Sequence, residues 1–245
     1  MARVRWARVI PIKDNIPNDR APVVTLGLIL ANLVVYLIAV AHGGSLWSGP
    51  DAHEVIRYGA IPHALTHGSA PSDALAPWQT VFTSMFLHGS FLHLVMNMLF
   101  LWIFGNTIED STGRLRFVAL YVIGGVAALA LQVVLEPNAT TPIIGAQGAI
   151  AAILGGYTLL YRRARVLAFS LIPFYVTVVE VPILVMVAVW FAVQAVFGAT
   201  DLITPLGDGG VVADVSSVGG FLFGLATIKL LAARRKPIPP RVPVY

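Results

Sequence analysis

No cysteine occurs in the 245 residues, which removes disulfides, thiol nucleophiles and thiolate metal sites but says nothing about compartment. Charge is scarce as well: Asp, Glu, Lys and Arg make up 11% of the chain, against about 25% in a soluble domain. Apart from Glu180 at a boundary, the apolar stretches lack carboxylates. A transporter's proton or ion relay is therefore absent from the pattern. No histidine follows His93, so the last three-fifths of the chain offers no imidazole base.

What is present is apolar. With 57% hydrophobic residues and a mean hydropathy of +0.80, the chain reads as a multi-pass integral membrane protein of the plasma or inner membrane, with the lipid bilayer as its first partner. Six runs approach the roughly 20 residues needed to cross a bilayer as helix. They are Val23 to Ala41, Phe86 to Ile108, Phe117 to Leu135, Ile143 to Tyr161, Pro182 to Gly198 and Val215 to Leu231. Val166 to Val181, apolar but broken by proline, reads as a loop or interfacial element. The expected organisation is an N-terminal segment over residues 1–22, an all-α domain over 23–232 and a Pro-rich tail over 233–245.

Lys and Arg test the count independently, since they should gather on alternate connections. Arg3, Arg5, Arg8, Lys13 and Arg20 precede the first run, and Arg114 and Arg116 separate the second from the third. Arg162, Arg163 and Arg165 separate the fourth from the fifth, and Lys229, Arg234, Arg235, Lys236 and Arg241 close the chain. Only Arg57 of the 16 basic residues falls on the other side. Both termini are thus expected to be cytoplasmic, and this asymmetry accounts for the net charge of +4 without a nucleic-acid partner. Ala39-Val40-Ala41 has the A-x-A form of a signal cleavage site, but the run before it is long for a signal core, and the first run is read as a span.

The first external connection, residues 42–85, is the longest and carries His42, His53, His63 and His67 with Trp47 and Trp78. The histidines are irregularly spaced with no cysteine or carboxylate cluster, which fits solvated or interfacial residues and no metal site. Trp78 fits an interfacial anchor.

Within the second run, His88, His93 and Asn97 form the densest polar constellation. His93 and Asn97 share a helix face, and His88 lies near the external end. Helix–helix hydrogen bonding and function explain such groups equally well. Glycine marks two further places: Gly145-Ala-Gln-Gly148-Ala149 opens the fourth run, and Gly220 and Gly224 form a G-x-x-x-G ridge in the sixth. Small residues at one end of both runs predict that they pack together with Gln147 near Ser217. Glu109 and Asp110 predict a turn charge-paired with Arg114 and Arg116, while Glu136 and Asp214 lie near external boundaries.

These motifs, in this order, resemble the rhomboid family of intramembrane serine proteases. His88-x4-His93-x3-Asn97 resembles the family's second-helix pattern, and Gly105-Asn-Thr-Ile-Glu109-Asp with Gly113-Arg114 resembles the segment after that helix. Gly145-Ala-Gln-Gly148 stands at the family's G-x-S-G, and Gly220-x3-Gly224 at the ridge after its catalytic histidine. The likeness runs from Val23 to about Ala232 and implies a six-transmembrane-helix rhomboid fold with the site open to the external face.

Position by position, the resemblance supports some roles and withdraws others. The nucleophile position holds Gln147 and the base position Ser217. An amide nitrogen with a delocalised lone pair cannot attack, and a neutral hydroxyl cannot replace imidazole as base. His93, Asn97 and the Gln147 backbone N–H match the family's oxyanion donors. One expected packing has the Gln147 carboxamide accepting from His93 or Asn97 and closing the cavity. The resemblance implies a pseudoprotease that binds transmembrane segments of client proteins and needs neither cofactor nor metal. The alternatives are an active protease with a non-standard site and a structural partner in a membrane complex. Clients and oligomeric state are not encoded legibly.

Overall fold

The computed structural model describes residues 8–172, 175–198 and 213–238. Arg3, Arg5, Arg241, the end of the tail and the side chain of Asp214 lie outside the described residues.

The elements follow the hydropathy pattern with informative departures. Strand β1 (Arg8–Asp14) leads to α1 (Val23–Ala41), after which come three short helices, α2 (Ala52–Tyr58), α3 (Pro62–His67) and α4 (Pro77–Thr83). Helix α5 (Phe91–Phe100) continues through a π-helical turn at Leu101–Gly105 into α6 (Asn106–Thr112), and α7 (Arg114–Leu135) and α8 (Gln147–Tyr161) come next. Strands β2 (Arg165–Ile172) and β3 (Tyr175–Pro182) precede α9 (Ile183–Gly198) and α10 (Ala213–Leu231). Among the described residues, three helices are long and apolar enough to cross a membrane: Val23–Ala41, Phe91–Thr112 and Arg114–Leu135, with mean hydropathies of 2.6, 1.6 and 2.3.

The second of these starts five residues later than expected and ends four later. Ser84–Phe86 is a 3-10 turn, and Ser90 then caps the new helix by accepting the His93 N–H at 3.2 Å. The fourth run is helical only from Gln147, because Ile143 is drawn into a two-way backbone pairing with Ala60 at 2.8 and 3.0 Å. The long first connection is accordingly ordered, with Val55, Ala60, Ile61 and Ala64 buried.

The expectation of an all-α domain with a loop at Val166 to Val181 is corrected. That segment is a hairpin, and β1 adds to it, giving an antiparallel sheet of order β1-β2-β3 in which Asp14 faces Val166 and Arg165 faces Pro182. Four of the eight residues of β3 are valine, and β2 carries Val166, Phe169 and Ile172, a composition suited to strand. An apolar segment must pair its backbone groups somewhere, and a ladder does so without a full helix.

Helix α8 is the axis of the bundle, buried along nearly all of its 15 residues. On α1, by contrast, only Thr25, Asn32, Tyr36 and Ala39 are buried, leaving an apolar face for lipid. Hydrocarbon gives apolar helices little reason to associate, so close packing of small residues must hold them. A Cβ on Gly220 would strike the Gly148 carbonyl, and one on Gly224 the Ala152 carbonyl, while Gly156 lies against Ile228. Each pair is 72 positions apart, so α8 and α10 run parallel, and Ser217 falls level with Gly145.

The ends of these helices are tied by a polar network. Glu109 accepts from the backbone N–H groups of Val24 and Thr25 at 3.0 and 2.8 Å and from the Thr25 hydroxyl at 2.8 Å, capping α1, which has no side-chain cap of its own. Asp110 accepts from the Asp19 N–H and from Lys236, whose ammonium also reaches the Pro17 carbonyl at 2.6 Å. Ser111 meets the Tyr161 hydroxyl at 2.8 Å, and Asp14 accepts from Thr107 and Tyr157 at 2.7 and 2.8 Å. The expected pairing of Glu109 and Asp110 with Arg114 and Arg116 does not form. Arg116 donates instead to the Leu231 carbonyl at 3.2 Å, because both carboxylates are turned inward, at 3% exposure each, toward the chain ends.

Candidate functional site

The first turn of α8 has a geometry that only its sequence allows. Gly145 takes φ +113°, a conformation open to glycine, and its N–H donates to the Ser84 carbonyl at 2.8 Å. A Cβ at Gly145 would sit 2.7 Å from His93 Cε1 and collide with Gln147 Oε1. Glycine thus lets the His93 ring edge and the Gln147 carboxamide converge on one backbone atom. Ala146 gives α8 no side-chain cap, so the first-turn N–H groups and the positive end of the helix dipole are not neutralised there.

Around this turn the fold collects the polar residues singled out in the sequence. His88 and Ser217 are fully buried, and His93, Asn97 and Gln147 nearly so. The rings of His88 and His93 meet edge to face, with centroids 5.1 Å apart. His88 Nδ1 donates to the Phe86 carbonyl at 3.2 Å, which leaves Nε2 as the free lone pair. Gln147 donates from Nε2 to the Ile144 carbonyl at 2.9 Å, closing its own turn.

Most remaining side-chain polar atoms here have no partner. His88 Nε2, both nitrogens of His93, Asn97 Nδ2, Gln147 Oε1 and Ser217 Oγ all lack hydrogen bonds. The expected contact of the Gln147 carboxamide with His93 is present as a close approach of its oxygen to the His93 ring, short of a well-aligned hydrogen bond, while its Nε2 is held by Ile144 and Asn97 Nδ2 has no partner. The cavity beside Gln147 has a volume of about 20 Å³, with Ser84, Met85, Gly125, Gly145 and Ser216 in its wall. That is room for about one water molecule. Ser216 lines this space, one position before Ser217.

Gly148, Gly220 and Gly224 serve as close-approach positions, as their spacing predicts. Gly148 also admits the methyl of Ala128 from α7. Chemically, the arrangement offers hydrogen-bond donors from His93, Asn97 and the uncapped helix end.

The external histidines are disposed differently. His42 and His53 lie 3.6 and 3.8 Å from Glu54. His63 and His67, four apart on α3, stack with centroids 4.3 Å apart, a spacing that the reading of irregular intervals passed over. Among the described residues no group of three or more His, Asp or Glu is arranged to hold a metal ion. Trp78 is 67% exposed on α4. Sequence reasoning missed Ser84 and Met85, which wall the site. Neither carries a signal in a sequence of this polarity, because one contributes a carbonyl and the other a side chain seated against Gly125.

A family model described as "Rhomboid domain" matches residues 76–234, well over half of the chain. Among curated proteins, the chain is similar to Rhomboid protein 1, mitochondrial, of Saccharomyces cerevisiae, at 33% identity over 94 residues, covering 37% of this chain and 27% of that protein. It is similar to RHOMBOID-like protein 5 of Arabidopsis thaliana at 35% over 107 residues, covering 44% and 32%. Against Rhomboid protease AarA of Providencia stuartii, identity is 30% over 106 residues, covering 42% and 34%. The chain spans about a third or less of the length of each of these relatives.

Proposed function

The chain belongs to the rhomboid family, and from that membership we propose that it is a pseudoprotease, an integral membrane protein that receives transmembrane segments of client proteins and does not cleave them. It crosses the bilayer six times, at α1, α5–α6, α7, α8, α9 and α10, with both termini on the cytoplasmic side. Two facts support this topology: the clustering of Lys and Arg on alternate connections, and the parallel run of α8 and α10, which fits one return crossing between them.

The observation that carries the reading is Gln147 at the head of α8. At the position of the family's nucleophile stands a carboxamide committed to the Ile144 carbonyl, and level with that turn on α10 stands a serine with no partner for its hydroxyl. Proton abstraction from a nucleophile needs a group with a basic lone pair near neutral pH, and Ser217 has none. His93, whose ring edge meets Gly145, and Asn97, one turn further along α5, keep side-chain nitrogens without a well-aligned hydrogen bond. Donors alone leave a residual rate of about 10³–10⁴ over water in soluble serine proteases, far too little for turnover of a peptide bond. The site is thus left to binding, with the client segment received at the surface of α5 and not in the one-water cavity beside Gln147.

Purified protein treated with a fluorophosphonate, beside incubation with a generic rhomboid transmembrane substrate, is expected to show neither label nor product. Labelling or cleavage by the unaltered chain would overturn the reading. Gln147→Ser combined with Ser217→His is expected to give weak proteolysis, since the two positions lie at one level of adjacent helices. Photocrosslinking from the surface of α5 is expected to capture a transmembrane helix of a second protein.

A further inference from the structure

Because α8 and α10 run parallel, their C-terminal ends emerge on one face of the bundle, and the chain is basic just after each of them. Between Arg162–Arg165, the entry to the hairpin and Arg235–Lys236 lies a pocket of about 830 Å³. Five cationic side chains line it, Arg162, Arg163, Arg165, Arg235 and Lys236, and no carboxylate does. Two of the five are engaged: Arg165 lies 3.3 Å from Glu180, and Lys236 is held by Asp110 with Asp19 at 3.4 Å. Arg162, Arg163 and Arg235 make no hydrogen bond or ion pair among the described residues.

Simple accumulation of charge does not describe this arrangement. A nearby pocket of about 510 Å³ sets Arg20 and Arg114 against Glu109 and Asp110, so its signs are mixed. The C-terminal end of α8 contributes a dipole charge of about −0.5, which offsets a fraction of one guanidinium. Three arginines from two separate chain segments therefore face one concave space with no counter-charge in its wall among the described residues. Arginine's planar fork matches phosphate oxygens two at a time.

We propose that this pocket is a binding site for a phosphate anion, with Arg162, Arg163 and Arg235 supplying the donors and Arg165 and Lys236 the surrounding positive field. Two sources share that chemistry, the headgroup of an anionic phospholipid at the membrane surface and a soluble phosphate compound. Either would bridge the C-terminal end of α8 to the segment after α10. This site is distinct from the one around Gln147 and does not rest on the pseudoprotease reading.

The test uses the full chain in a neutral detergent, with native mass spectrometry counting adducts of short-chain phosphatidylglycerol and with short-chain phosphatidylcholine as the uncharged control. A single saturable phosphatidylglycerol adduct is expected. The triple variant Arg162→Ala/Arg163→Ala/Arg235→Ala should weaken it about tenfold or more. The matched triple Arg114→Ala/Lys229→Ala/Arg234→Ala, which removes equal charge outside the pocket, should leave it within about twofold. Equal weakening by both triples, or no preference over phosphatidylcholine, would overturn the proposal. Displacement of the adduct by inorganic pyrophosphate assigns the site to soluble phosphates, and resistance to it assigns the site to lipid. Arg235→Ala alone keeps the backbone that seats Lys236, so a partial loss in this folded variant guards against misfolding as the cause.

Discussion

At its C-terminal end the helix spanning Phe91–Thr112 carries Thr107, Glu109, Asp110 and Ser111, each hydrogen-bonded to a distant part of the chain. About 20 Å earlier along the same helix, His93 and Asn97 are equally buried, and their side-chain nitrogens lack well-aligned hydrogen bonds. Leaving a buried polar group unpaired costs about 1–3 kcal/mol. The two regions therefore act on stability in opposite directions. One ties the segment before α1 and the segment after α10 to the core, although one oxygen of Asp14 and one of Asp110 stay unpaired. The other subtracts from stability and is offset by the rest of the fold.

Lys236→Met should have the largest effect, because it leaves the Asp110 carboxylate buried without its cation; breaking such a pair costs about 3–5 kcal/mol. A thermal unfolding midpoint in detergent within a degree of the unaltered chain would show that the network does not hold the ends. Glu109→Gln comes next. It keeps an acceptor but loses the charge that caps α1, and about 1–2 kcal/mol of destabilisation is expected by the same measurement.

Asp14 sharpens the contrast through pH. Burial raises its carboxyl above the ordinary 3.8, while the hydrogen bonds from Thr107 and Tyr157 pull the other way. A raised native value means that the folded state holds a proton which the unfolded chain has released. The contribution is then full below 3.8 and is lost as pH rises through the native value. Asp14→Asn, which still offers an acceptor oxygen, should flatten the decline of unfolding temperature from about pH 4 to pH 7. An unchanged slope would remove Asp14 from the account.

The smallest effect belongs to the other region. Ser217→Ala deletes a hydroxyl with no bond and should change stability by less than about 0.5 kcal/mol or raise it slightly. A loss of about 2 kcal/mol or more would mean that Ser217 is structurally engaged, and the two regions would no longer differ in kind.

Much of this was legible in order along the chain. Helices α1, α7, α9 and α10 lie where hydropathy puts them, to within a few residues, because an apolar run of span length has few other ways to pair its backbone. The G-x-x-x-G ridge was legible because only glycine permits carbonyl contact at Gly220 and Gly224. The sheet was not. Its first strand comes from a basic N-terminal segment more than 150 residues before its partner, and pairing at that distance leaves no local periodicity. The partners of Glu109 and Asp110 were misread for a similar reason: sequence favoured the nearby Arg114 and Arg116, whereas the fold brought the start of α1 to Glu109 and Lys236, from the other end of the chain, to Asp110.

By itself, the sequence determined the chemistry. It has no cysteine and no histidine after His93, and it carries a carboxamide at position 147 and a hydroxyl at 217. No folding can make those groups a thiolate or a general base, since reactivity belongs to atoms. The tertiary structure alone decided which polar groups are satisfied by hydrogen bonds and which are left open. The Gln147 amide turned to Ile144, Lys236 reached Asp110, and Asn97 kept its amide nitrogen unpaired. Hydrogen bonds act over about 3 Å, and residues far apart in the chain reach that distance only when helices pack.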